Sequence, residues 1–170
     1  GVHTITYAYT DGNGCSAVTS QNVEVNLESN ASFTGLSGPY CSSDDTIIAL
    51  VPVESGGVFS GNGVTGNNWS PADAVIGNNT IEYEVGSGGC VNSSSVVVEV
   101  LASPNPSFTN LDDVYCNNEP DVTLVPVESG GVFTATSGLT ANVFHPQIAD
   151  LGINVITYSI NDSNGCSAMS

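Results

Sequence analysis

Five cysteines, two histidines and 17 carboxylates are the side chains of this 170-residue chain with reactive chemistry, and no Lys or Arg accompanies them. The thiols stand at Cys15, Cys41, Cys90, Cys116 and Cys166. Cys15, Cys90 and Cys166 each follow a glycine, and Cys41 and Cys116 each follow a tyrosine. Both kinds return at nearly one interval, from Cys15 to Cys90 to Cys166 and from Cys41 to Cys116. Zinc ligation would require C-x-x-C pairs or recurring histidines. Neither is present: His3 stands where Asn79 and Asn154 stand in the other copies, and His145 stands where the earlier copy has Ser70. Unrepeated histidines on strand margins read as solvated side chains, and no Ser-His-Asp set follows from these spacings. Glu54 and Glu128 do recur, but each sits alone in a turn, so paired-carboxylate catalysis is not expected. Disulfide chemistry is what the pattern suits.

The cysteines are carried by a repeat. Val51-Pro52-Val53-Glu54-Ser55-Gly56-Gly57-Val58-Phe59 returns unchanged as residues 125–133, Ser32-Phe33-Thr34 returns as Ser107-Phe108-Thr109, and Trp69-Ser70-Pro71 as Phe144-His145-Pro146. The period, roughly 75 residues, is long enough for one small domain per repeat. The first and last stretches also match: Gly1 to Ala17 aligns with Gly152 to Ala168. The expected organisation is a carboxy-terminal hairpin of a truncated repeat over 1–27, a complete repeat over 28–101 and a repeat lacking its last strand over 102–170, cut from a longer tandem array. No signal peptide or apolar membrane span is present in these residues.

Residues 4–10, 80–85 and 95–101 alternate apolar and polar side chains, and residues 46–53 form an apolar, β-branched run. Turn signals recur at short, regular intervals, and no stretch sustains a helical period; residues 73–76 and 147–150 suffice for one turn each. The fold predicted is all-β, with antiparallel immunoglobulin-like sandwiches of about 75 residues in tandem. Residues 61–67 read as a loop and residues 69–71 as an edge segment closed by a proline. If four further strands traverse the domain after Cys41, the turn at Cys90 returns to the same end. That count pairs Cys41 with Cys90 and Cys116 with Cys166, and leaves Cys15 with a partner upstream of residue 1. Pairing Cys15 with Cys41 and Cys90 with Cys116 would instead span a strand length. A bond closing about 50 residues stabilises by roughly 4 kcal/mol in the chain-entropy model and places the chain in an oxidising setting.

With 17 acidic residues and a formal charge of −17, the surface is acidic; nucleic acid and anionic lipid, which are held by Lys and Arg, are excluded as partners. Asp44, Asp45, Glu119, Asp121 and Asp162, together with Asp112 and Asp113, are expected to gather at the disulfide end, where calcium is the one cofactor to consider. No EF-hand loop supports it. Asp45-Thr46-Ile47 makes Thr46 a candidate for O-glycosylation, and Asn30, Asn68, Asn78, Asn92 and Asn161 open Asn-x-Ser/Thr triplets. Phe59, Trp69 and Tyr83, repeated as Phe133, Phe144 and Tyr158, are expected in the core.

Tyr-Cys, an apolar strand, Pro-x-x-Ser-Gly-Gly-Val-Phe, Trp/Phe-x-Pro, Gly-x-x-x-Ile-x-Tyr and Asp-Gly-Asn-Gly-Cys together resemble the tandem immunoglobulin-like (PKD-like) repeats of very large Bacteroidota surface proteins. SprB-type gliding-motility adhesins exported by type IX secretion belong to that class, and Asp-Thr-Ile resembles the glycosylation signal reported for Bacteroidota. The resemblance implies a stalk or fibre shaft at the bacterial cell surface, serving adhesion or gliding and not catalysis. Its partners would be neighbouring repeats and other fibre chains, with surface glycans or the substratum bound elsewhere in the protein. The alternative is a carbohydrate- or calcium-binding accessory module of a secreted enzyme, which would expose coplanar aromatics on one face.

Overall fold

A computed structural model describes residues 1–170, and every regular element in it is a β-strand. The chain opens with a hairpin, Val2–Thr10 against Ser16–Glu24, paired from Val2↔Glu24 to Thr10↔Ser16. Asp11 closes its turn by accepting the N–H groups of Asn13 and Cys15 on its carboxylate. Ile5, Tyr7 and Tyr9 share one face and are exposed, because nothing in the chain packs over them.

The central unit is a two-layer sandwich. One layer has the order Tyr40–Cys41, Asn92–Leu101, Gly77–Val85, Val58–Ser60. The other combines Phe33–Thr34 with Val51–Pro52, and Ile48–Ala49 with Asn68–Trp69 and Val64–Thr65. Gly77–Val85 alternates as a strand with one buried face must. Ile81, Tyr83 and Val85 point inward to meet Leu50, Phe59, Trp69, Val98 and Val100 in one core. Phe33 and Phe59 meet edge to face at 5.1 Å, as do Tyr40 and Trp69 at 5.2 Å.

The recurring nonapeptide is a strand, a strapped turn and a second strand. In the central unit the Tyr83 hydroxyl donates to the Glu54 carbonyl at 2.7 Å and accepts the Gly57 N–H at 2.9 Å. The carboxy-terminal unit repeats the strap: Tyr158 donates to the Glu128 carbonyl at 2.6 Å and accepts from Gly131 at 2.8 Å. A buried tyrosine hydroxyl thus satisfies two backbone groups that no ladder reaches. Pairing registers recur as well, with Phe33↔Pro52 matched by Phe108↔Pro126 and Phe59↔Tyr83 by Phe133↔Tyr158.

Three local expectations change. The apolar run 46–53 is not one strand but two short ones on either side of Leu50, Ile48–Ala49 bonding Asn68–Trp69 and Val51–Pro52 bonding Phe33–Thr34. Trp69 lies in a central strand, since Asn68–Trp69 pairs on both sides; Pro71, which lacks an N–H, sits buried just beyond the ladder. The glycine-rich stretch 61–67 is no open loop: it contains Val64–Thr65, which pairs back on Asn68–Trp69 around Gly66 at φ +59.

Candidate functional site at the junction between units

That short hairpin decides where the cysteines lie. Val64–Thr65 and Asn68–Trp69 turn locally at one end of the sandwich and do not cross it, so the chain traverses the domain once fewer than the strand count assumed. The Gly86 to Cys90 turn consequently ends opposite Cys41. The register is explicit: Tyr40–Cys41 runs parallel to the far end of the last strand, Tyr40↔Val100 and Cys41↔Leu101. Cys90 precedes the start of that strand, Asn92–Leu101, whose 10 residues put about 30 Å between the two ends.

Cys41 is bonded to Cys166, with Cα atoms 5.6 Å apart, and Cys15, Cys90 and Cys116 are free. Neither of the pairs expected within a unit, Cys41 with Cys90 or Cys116 with Cys166, is formed. The bond joins two units. Each hairpin turn lies at the upstream end of its unit and each Tyr-Cys at the downstream end, so Cys41 and Cys166 meet at the boundary near residues 102–105.

Small hydroxyl residues complete the junction. Ser103 places its N–H on Ser42 Oγ at 3.0 Å, and its own Oγ accepts the Ser43 N–H at 2.9 Å and donates to Ser43 Oγ at 2.8 Å. Ser43 Oγ reaches the Ser167 carbonyl at 3.5 Å. Pro104 is buried beside this network, and Cys166 is fully buried. None of these serines was singled out by sequence, because Ser42 and Ser43 are replaced by Asn117 and Asn118 in the next unit and Ser103 stands where Glu28 stands before it.

The candidate calcium ligands do not gather. No three His, Cys, Asp or Glu side chains converge anywhere in the chain. Asp44, Asp45 and Asp162 belong to the junction, whereas Glu119 and Asp121 belong to the downstream end of the carboxy-terminal unit. Their oxygens close turns: Asp162 accepts the N–H groups of Asn164 and Cys166, and Glu119 accepts that of Cys116. His145 departs from the solvated side chain expected of it. It is half-buried, and its Nδ1 lies 2.9 Å from Asp121 Oδ1.

Thr46 is exposed in the loop after Cys41, and its N–H donates to Asp44 Oδ1 at 3.0 Å. The Thr46 hydroxyl, and after it this N–H, hold the Asp44 carboxyl below the ordinary aspartate range. For a lowered carboxyl the stabilisation is present above the unfolded value of about 3.9 and is lost as pH falls through the lowered folded value. Thr46→Ala removes the hydroxyl and should raise the Asp44 midpoint, read by carboxyl NMR titration; an unmoved midpoint would assign the effect elsewhere. A sugar on the Thr46 oxygen removes the same donor and should act alike.

Phe59, Trp69, Tyr83, Phe144 and Tyr158 are all buried, so no coplanar row of these rings faces solvent. A groove of about 260 Å³ in the carboxy-terminal unit is lined by Leu111, Tyr115, Phe144, Ala149, Asn154 and Ile156 among others. In the central unit the corresponding Leu36, Tyr40, Trp69, Ala74 and Ile81 belong to the same core as Val98 and Val100. Compared with known proteins, the chain matches no family model and none of the curated proteins.

Proposed function

We propose that residues 1–170 are part of the shaft of a large extracellular bacterial adhesin or surface filament, built from immunoglobulin-like units in tandem and serving attachment or gliding. The observation that carries this reading is the Cys41–Cys166 bond between successive units. A bond at that place fixes how one unit sits on the next, which a rod requires and an isolated binding module does not. Disulfides persist in oxidising compartments, in keeping with a location outside the cytoplasm. The resemblance to PKD-like repeats of type IX-exported adhesins points the same way, and a charge of −17 without cations keeps neighbouring fibres apart.

The test is immunogold labelling of intact source cells with antibodies raised against residues 28–101. Gold along filaments projecting from unpermeabilised cells is the expected result. Labelling that appears only after permeabilisation would overturn the proposal.

A further inference from the structure

We infer that the three free cysteines are open halves of the same junction bond. Each Tyr-Cys joins the hairpin-turn cysteine of the following unit, so that the shaft is held by two interleaved disulfide-linked threads. This deepens the shaft reading and rests on it.

Cys15 and Cys116 already have the local geometry of the bonded halves, whereas the turn at Cys90 has Gly86 in place of the aspartate and is closed by the Cys90 N–H on the Ser87 carbonyl at 3.1 Å. At Cys166 the turn is closed by the Asp162 N–H on the Cys166 carbonyl at 2.9 Å and by the Cys166 N–H on Asp162 Oδ1 at 2.8 Å. At Cys15, which carries no bond, Asp11 makes both contacts at 2.8 Å. On the other side, Asp44 N–H donates to the Cys41 carbonyl at 3.0 Å, and Glu119 N–H donates to the Cys116 carbonyl at 3.1 Å. Tyr40 accepts the Ser37 N–H and Tyr115 the Asp112 N–H at the matching positions. Cys116 thus faces downstream as Cys41 does. Cys90 faces upstream as Cys166 does, beside the linker residue Ser29, whose carbonyl accepts from Asn92 at 2.9 Å. A bond between Cys90 and Cys41 is prevented by the strand length between them.

Closing each bond removes two protons and two electrons from a pair of thiols. A disulfide of low molecular weight or on a carrier protein takes them by thiol exchange and leaves as two thiols.

The arrangement has a mechanical result. The interval from Cys15 to Cys41 equals that from Cys90 to Cys116, and each starts at the upstream end of one unit and finishes at the downstream end of the next. Fully extended, such an interval reaches about 90 Å. Two folded units with their linker span about 75 Å at roughly 3.3 Å per strand residue. Load handed from Cys41 to Cys166 therefore travels through segments that are nearly taut in the folded state, and the rest of each unit lies outside the load path. The shaft extends by only about a fifth without breaking a covalent bond.

The experiment is a non-reducing peptide map of the parent protein, alkylated in acid and cut at glutamate. Glu24, Glu28, Glu54, Glu84, Glu99, Glu119 and Glu128 put the five cysteines in five different peptides. The expected map links the Cys41 peptide to the Cys166 peptide, and the Cys15, Cys90 and Cys116 peptides to cysteine peptides from outside residues 1–170. Alkylated Cys90 or Cys116, or a Cys41–Cys90 or Cys116–Cys166 link, in a protein of large mass overturns the interleaved threads and leaves the array standing. An intact mass near 17.3 kDa overturns the array itself, and the threads with it.

Discussion

Pulled from its two ends, the disulfide-bonded chain is expected to release only the residues outside the loop closed by Cys41 and Cys166. The bond spans a separation of 125 residues, which at about 3.5 Å per residue hides roughly 430 Å of contour. The oxidised chain should therefore extend to about 160 Å, and the reduced chain, or Cys41→Ser, to about 600 Å. Force spectroscopy with handles at Gly1 and Ser170 reads the difference directly. The same bond, in the chain-entropy model, stabilises the folded pair by about 5 kcal/mol. Reduction should accordingly shift the denaturant midpoint of the two units together. A long extension in the oxidised chain, unchanged by reductant, would show that the junction carries no covalent load.

Sequence made the fold class visible because it rests on side-chain alternation, which Gly77–Val85 displays position by position, and on turn chemistry such as Asp11 to Gly14. It made the core aromatics visible because a repeat exposes which rings are retained at fixed points of the strand plan. Cysteine pairing was not legible, and the reason is physical. Pairing depends on the parity of domain crossings, and parity turned on whether residues 61–69 cross the sandwich or fold back locally. Gly61, Gly63 and Gly66 with Asn62 and Asn67 read equally as a loop or as a tight hairpin. Only the pairing of Val64 with Trp69 and of Thr65 with Asn68 distinguishes them. The carboxylates misled for a related reason: Asp162 and Glu119 look like cation ligands in sequence, yet their acceptors are taken up by N–H groups two to four residues away. Ser103 left no signal because any small hydroxyl residue would look the same in a linker.

Gly57→Ala should be among the most damaging single substitutions in the central unit, at about 3 kcal/mol, whereas Gly56→Ala beside it should cost about 1. The two glycines are retained for different reasons. Gly56 sits at φ +101 with open space where a side chain would go, so alanine there meets only backbone strain. Gly57 has no positive φ, but a methyl group on it would run into the Glu84 carbonyl oxygen and the Tyr83 ring. Neither obstacle yields readily. Glu84 is held in the ladder between Val58–Ser60 and Asn92–Leu101, and Tyr83 is buried with its hydroxyl shared between Glu54 and Gly57. Moving Gly57 outward breaks that strap, leaving the Tyr83 hydroxyl without its donor in a buried site. Tyr83→Phe provides the comparison: it keeps the ring, leaves the Glu54 carbonyl and Gly57 N–H without a partner, and should cost about 1–3 kcal/mol. Gly131 is crowded in the same way by the Ser159 carbonyl and Tyr158, so Gly131→Ala should repeat the effect in the second unit. Urea midpoints of the four variants settle the ranking. If Gly56→Ala proves the costlier neighbour, the nonapeptide is retained for its turn geometry and not for the close approach of its backbone to the strapped strand.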